Sequence, residues 1–284
     1  MWPFGAPPPP PSPPPSPFES DLTKIASYSL VIAAAFSVVH ICLDIAVFRC
    51  SAKARALSPS ARSDLIIQFM WLLGCSPLPV LYGLGMPSLA GTIEDRWHRY
   101  NPFIDAAMLL HIGSSLYECG VYAVYGKPWV FTLHHVITIH SYVLGVWLSA
   151  NHFWGAWAGL VEATNVPVCF LKISVHLNIG RGTIFEMING AVLYLSYILV
   201  RLISLPCLLT WLAHDAYTHH ELTFGYPGTF AHTWIRITSP LAIFCIWLLS
   251  VAWFKPIHKG MMKVIRGKDP LKGDGQEEAF RKNA

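Results

Sequence analysis

The chain is 284 residues long, 54% hydrophobic and only 13% charged, with a mean hydropathy of +0.44. Soluble domains carry roughly a quarter of their residues as Asp, Glu, Lys and Arg, so half that charge leaves too little polar surface to cover a globule in water, and the surplus must face lipid. A soluble enzyme and a secreted disulfide scaffold are excluded. The net charge of +4 is a matter of loops, and no nucleic-acid partner is expected.

In chain order, residues 1–22 come first as a proline-rich tail, with ten prolines among residues 1–18 and no basic stretch leading into an apolar run. Residues 23–255 form one multi-pass unit. A spanning helix needs about 20 mostly apolar residues, and seven such stretches are predicted at 24–48, 65–88, 103–125, 129–149, 153–172, 184–213 and 234–254. The fold class is therefore an all-α membrane protein, a bundle of about seven transmembrane helices. Pro77, Pro79, Pro167 and Pro206 are expected to disturb the second, fifth and sixth spans. Residues 256–284 are a basic tail. The seven cysteines are scattered without Cys-x-x-Cys spacing and read as free thiols.

The lysines and arginines fall unevenly about these spans. Fifteen lie on one side and four on the other, with Arg201 inside the sixth span. The positive-inside rule then places the N-terminus in the lumen or outside and the C-terminus in the cytosol. Arg281 and Lys282, third and fourth from the end, resemble a dilysine-type retrieval signal and point to the endoplasmic reticulum. A seven-span receptor shares this topology, but Asp-Arg-Tyr after the third span and Asn-Pro-x-x-Tyr in the seventh are absent, so it stays a remote alternative.

Titratable side chains at membrane depth are costly and turn toward the bundle interior. His40 and Asp44 share a face of the first span. Asp105, His111, Ser115 and Glu118 lie on the third, the last three on one face. The fourth carries His134, His135, Thr138, His140 and Ser141; the fifth Glu162, Thr164 and Asn165; the sixth Glu186, Asn189 and Arg201. Adjacent histidines diverge by 100° and cannot share one partner, so one of His134 and His135 is expected to face a cavity while the other bonds a neighbouring helix. With Glu162, they are expected to line a funnel open to the cytosolic leaflet, with Glu118, Asn165 and Thr138 in its wall. The spans lack the His-x-x-x-His and His-x-x-His-His repeats of membrane di-iron enzymes, and no metal site is predicted.

The order Leu133-His134-His135, then Ser141-Tyr142, then Val161-Glu162-Ala163-Thr164-Asn165 with Lys172 resembles the TLC domain, over about residues 60–255. The ceramide synthases of that family transfer an acyl group from acyl-CoA to a sphingoid base. Against their pattern His134, His135 and Lys172 match, Thr164 replaces a Ser, and Glu162 replaces the first Asp. Val161 stands where they have His, Asn165 where they have the second Asp, and Cys169 where they have Glu. The chain is closer to the small TLC-domain-containing proteins, for which the resemblance implies a role in membrane lipid composition. Two readings follow: a protein that binds or regulates membrane lipids without a cofactor, or an acyltransferase with acyl-CoA as co-substrate and His134, His135 and Glu162 as its catalytic groups. The oligomeric state is not legible.

Overall fold

The computed structural model describes residues 21–180, 183–224 and 229–265; the proline tail and the Arg281-Lys282 motif lie outside these. The described residues are helical, without strands. In chain order they form α1 (Leu22–Cys50), α2 (Ala52–Arg55), α3 (Pro59–Cys75), α4 (Pro77–Gly85), α5 (Ile93–His98), α6 (Pro102–Tyr125), α7 (Trp129–Leu148), α8 (His152–Gly159), α9 (Asn165–Leu177), α10 (Ile184–Ser196), α11 (Ser204–Thr218) and α12 (Phe230–Ile265).

Helix limits follow local chemistry. Asp21 caps α1 by accepting from Lys24 N at 2.8 Å. Ser58 and Asn101 cap α3 and α6, each followed by a proline at the first helical position, where a missing N–H costs nothing. Thr92 and Asp95 close a reciprocal capping box on α5. Gly126 ends α6 at φ +60°, a conformation open to a residue without Cβ.

Among the described residues, six helical runs are long and apolar enough to cross a membrane: Leu22–Cys50, Pro59–Leu89, Trp129–Leu148, His152–Leu177, Ile184–Thr218 and Phe230–Ile265. The 24 residues of α6 reach about 36 Å at 1.5 Å per residue. Its polar stripe lowers its hydropathy, yet only Gly126 to Pro128 join it to α7, so the two must run antiparallel side by side. The facing pairs Glu118 with His135 and His111 with Tyr142 keep one register along them. α6 lies in the bundle centre between α1 and α7, with Ile104, Ala107, Met108 and Ile112 buried. The helices around it turn Leu30, Val31, Leu195, Leu199 and Leu241 outward, as lipid requires.

The prolines act as expected in kind but not always in place. The second span breaks at Ser76, between α3 and α4, before Pro77. Ahead of Pro167 the chain tightens into a 3-10 turn, Leu160–Thr164. The sixth span is disturbed upstream of Pro206 as a π-helical segment, Tyr197–Ile203, because proline offers no N–H to the carbonyl four residues earlier. α12 keeps Pro240 and Pro256 inside one helix and runs to Ile265, past the predicted limit at 254.

Links between loops define two ends. Lys53 Nζ bonds Asn178 O and Lys127 pairs with Asp64, gathering the lysine-rich loops at a basic end. At the opposite end Asn151 N bonds Trp97 O, His98 bonds Leu222 O, and Arg96 and Asp215 form a buried ion pair at 2.7 Å. Trp97, Phe153 and Trp154, almost wholly buried, pack edge to face there.

Candidate functional site

The site starts from a stripe on α6. His111, Ser115, Glu118 and Tyr122 recur at helical spacing and face α7. Glu118 Oε2 lies 2.9 Å from His135 Nε2 and accepts from Tyr122 OH at 3.1 Å. The other ring nitrogen of His135 is 3.2 Å from Ser115 Oγ. Both His135 nitrogens are therefore used, and the pair ties α6 to α7 at a depth where neither charge could face lipid.

His134, next along α7, has a different role. Its ring is T-shaped to Trp253 of α12, with centroids 5.6 Å apart, and its Nδ1 is buried with no hydrogen-bond partner. Thr138 Oγ1 returns a bond to the His134 carbonyl.

Glu162 sits in the 3-10 turn and is 7% exposed. Its Oε2 accepts from Asn165 Nδ2 at 2.8 Å; its Oε1 is 3.9 Å from His111 Nε2, beyond hydrogen-bond range. Arg201 holds the turn from the π-helical segment, donating from Nε to Thr164 Oγ1 at 2.7 Å and from one terminal nitrogen to Val161 O at 3.2 Å and Asn165 Oδ1 at 3.0 Å. A π-helical insertion re-aims side chains relative to an α-helix, and here it turns a guanidinium, 3% exposed, onto the one stretch where the fifth span's ladder is irregular.

These groups border a cavity of about 50 Å³. Along α7 its wall is His134, Thr138, Ser141, Tyr142 and Gly145; across from them stand Ile235, Ser239, Ala242, Ile243 and Ile246 of α12. Glu162, His111, Met108 and Trp154 close the inner side. The positions on α7 cover about 16 Å of helix. A single water needs about 10–15 Å³ by this measure, so the cavity admits a few waters and is too small for a whole lipid.

Of the residues predicted to line a cavity, His134, Glu162 and Thr138 do so. Glu118 and Asn165 do not: His135 and Tyr122 engage the first, Glu162 and Arg201 the second, and both stand behind the wall. His135 points at α6. The direction of the cavity also differs from the funnel expected at the cytosolic leaflet. Its wall extends from His134 toward Asn151, away from the basic end, because Phe131 stacked on Trp253 at 5.8 Å and Tyr122 against Phe131 fill the space beneath the histidines. Of the remaining sequence-predicted groups, His40 bonds Tyr117 OH at 2.6 Å, Asp44 pairs with Arg62 at 3.0 Å, and His140 accepts from Trp234. Among the described residues no three His, Cys, Asp or Glu side chains converge as a metal site would require.

A family model for the TLC domain matches residues 87–259. The chain belongs to the TLC-domain family. No curated protein matches it. In this TLC-domain protein the match covers α5 to most of α12, and so every residue of the His134 and Glu162 cavity. Tyr82 comes from α4, before the match, and brings its hydroxyl 3.4 Å from His111 Nδ1. Sequence reasoning passed over Tyr82, Tyr122 and Trp253, since aromatic residues on apolar helices carry no periodic signal of a site. Arg201 did carry one, as the basic residue that the tally of loop lysines and arginines left inside the sixth span.

Proposed function

We propose that this TLC-domain protein binds or regulates membrane lipids through the cavity between α7 and α12, as an integral protein of the endoplasmic reticulum with a lumenal N-terminus and a cytosolic C-terminus. One observation carries the reading: a mostly apolar seam holds two polar atoms without close partners, His134 Nδ1 and Glu162 Oε1, which suits one polar group attached to a hydrocarbon chain. At about 50 Å³ the cavity would have to widen to admit a chain. α12 is the wall suited to move, since Pro240 interrupts its hydrogen-bond ladder beside Ser239 and Ala242, and the small residues facing it leave room for adjustment. The topology rests on the loop charges, and the membrane on the terminal Arg281-Lys282.

His134 supports a second reading, an acyltransferase of ceramide synthase type using acyl-CoA. His134 borders the cavity and keeps one ring nitrogen without a partner, as a nucleophile or general base needs, whereas His135 is occupied by Glu118 and Ser115. Asn165 in place of a carboxylate counts against it, because an amide cannot take up a proton or balance an imidazolium. Lipidomes of cells with and without the protein, and with His134→Ala, separate the two. Altered phospholipid acyl chains support lipid regulation, altered ceramides support the transferase, and an unchanged lipidome in all three refutes both.

A further inference from the structure

His140 departs from the pattern of polar groups that turn inward at membrane depth. It adjoins Ser141, which lines the cavity, yet at about 100° per residue it stands across α7 from Thr138, Tyr142 and Gly145 and is exposed on the outer face. A ring nitrogen facing lipid has no water to bond. It is met from α12 instead: Trp234 Nε1 donates to His140 Nε2 at 3.1 Å, with the rings T-shaped at 6.3 Å. Trp234 is 44% exposed and adjoins Ile235, which lines the cavity from the α12 side. The bond therefore joins α12 to α7 on the lipid side of a seam whose inner side is the cavity.

The hydroxyls along this seam do not tie the two helices. Thr138 and Ser141 bond the carbonyls of His134 and Ile137 on α7, and Thr238 bonds that of Trp234 on α12. The inner edge of the same stretch of α12 is anchored elsewhere. Arg236 donates to Phe224 O at 3.3 Å, and Ser239 accepts from Asn151 Nδ2 at 3.4 Å. Pro240 then interrupts the helical ladder. A stretch anchored along its inner edge and weakened at one end turns outward when the outer bond breaks. His140 lies eight residues before Leu148, about 12 Å from the end opposite the basic one, which sets this opening within the leaflet on that side.

We propose that the seam between α7 and α12 is a lateral entrance, through which an acyl chain of a phospholipid passes into the cavity from the leaflet opposite the basic end, and that the hydrogen bond between Trp234 and His140 is its latch. This rests on the reading of the cavity as a lipid site. An acyl chain suits the route because the wall behind the latch, with Ile235, Ala242, Ile243 and Ile246, is apolar, whereas a water-soluble ligand would have to cross hydrocarbon to reach it.

The full-length protein in dioleoyl-phosphatidylcholine vesicles, with a phosphatidylcholine that carries a diazirine in its acyl chain, tests this. The readout is the label at Thr138 and Ile235 relative to the outward Val31 and Leu195. Trp234→Phe keeps a ring and loses the donor, and His140→Phe loses the acceptor; either should raise the inward share about three- to tenfold, the fold-change of one interhelical hydrogen bond in a membrane. His140→Gln, which still offers an acceptor, should stay near the wild type. Trp234→His sets two imidazoles across the seam, so added zinc should bridge them and lower the inward label, with no such response in the wild type. Photolipid placed in one leaflet at a time should label the cavity from the leaflet opposite the basic end. If Trp234→Phe does not fold, His140→Phe and the zinc response decide. Inward label that is equal in the wild type, the folded variants and zinc-bound Trp234→His, or that comes from the basic-end leaflet, overturns the entrance and leaves the lipid reading standing. No inward label in any of them overturns both.

Discussion

Replacing Arg201 by Met should be among the most damaging single changes in the bundle. The guanidinium is 3% exposed and makes three hydrogen bonds, to Thr164 Oγ1, Val161 O and Asn165 Oδ1. Met fills much of the same volume, so packing is nearly kept. The loss is electrostatic: three acceptors lose their donor, and Glu162 keeps a buried carboxylate without a cation nearby. Removing one partner of a buried charged network costs roughly 3–5 kcal/mol. Arg201→Lys keeps the charge but not the fork that reaches three acceptors at once, and should fall between. Equilibrium unfolding in mixed micelles would measure both. A destabilisation of Arg201→Met below about 1 kcal/mol, the worth of one ordinary hydrogen bond, would refute the view that this residue holds the Glu162 turn.

Glu118→Ala should cost about 3–5 kcal/mol in the same assay, because it strands His135 between α6 and α7, and Glu118→Gln less, since an amide still accepts a hydrogen bond; equal costs would deny the ion pair its role. Gly159→Ala would drive a Cβ into the Tyr82 ring and should destabilise by about 1–3 kcal/mol, whereas Gly120→Ala, with nothing within 4 Å, should not destabilise. At the end opposite the basic one, burial holds the His98 imidazole below its ordinary pKa of 6.5, against the hydrogen bond to Leu222 O, which raises it. The folded state then binds fewer protons than the unfolded state, so stability is full above about pH 6.5 and falls as pH drops through that value toward the folded pKa. His98→Gln should flatten this decline, as followed by thermal unfolding between about pH 7.5 and 5, the range around the imidazole's ordinary titration; an unchanged profile would show that His98 contributes nothing to it.

Much of the fold was legible in the sequence because lipid imposes a simple rule: spans are long apolar helices, and polar groups within them face inward. That rule found the spans and gathered His134, Glu162 and Thr138 about the interior. It could not say which polar group faces the cavity and which is spent on a neighbour. Glu118 and Asn165 carry the same sequence signal as Glu162, and only the register of α6 against α7 and the reach of Arg201 separate them. Depth alone pointed to a cytosolic opening, since His134 and His135 lie near that end of their helix. The aromatic closure by Phe131 and Trp253 reverses it, and it joins residues more than a hundred positions apart on helices whose apolar faces look alike in sequence. The irregular turn at Leu160–Thr164 was half visible through Pro167, while the π-helical segment opposite it was not.

The central claim is that a lipid chain occupies the seam between α7 and α12. Photolabelling with a phospholipid that carries a diazirine in its acyl chain, on the protein in native membranes, followed by mass-spectrometric mapping of the labelled residues, tests it directly. Labels are expected on Thr138, Gly145, Ile235 and Ile246, lost on competition with unlabelled lipid, beside the unspecific labels of outward positions. Labels confined to outward residues such as Val31, Leu195 and Leu241 would contradict it.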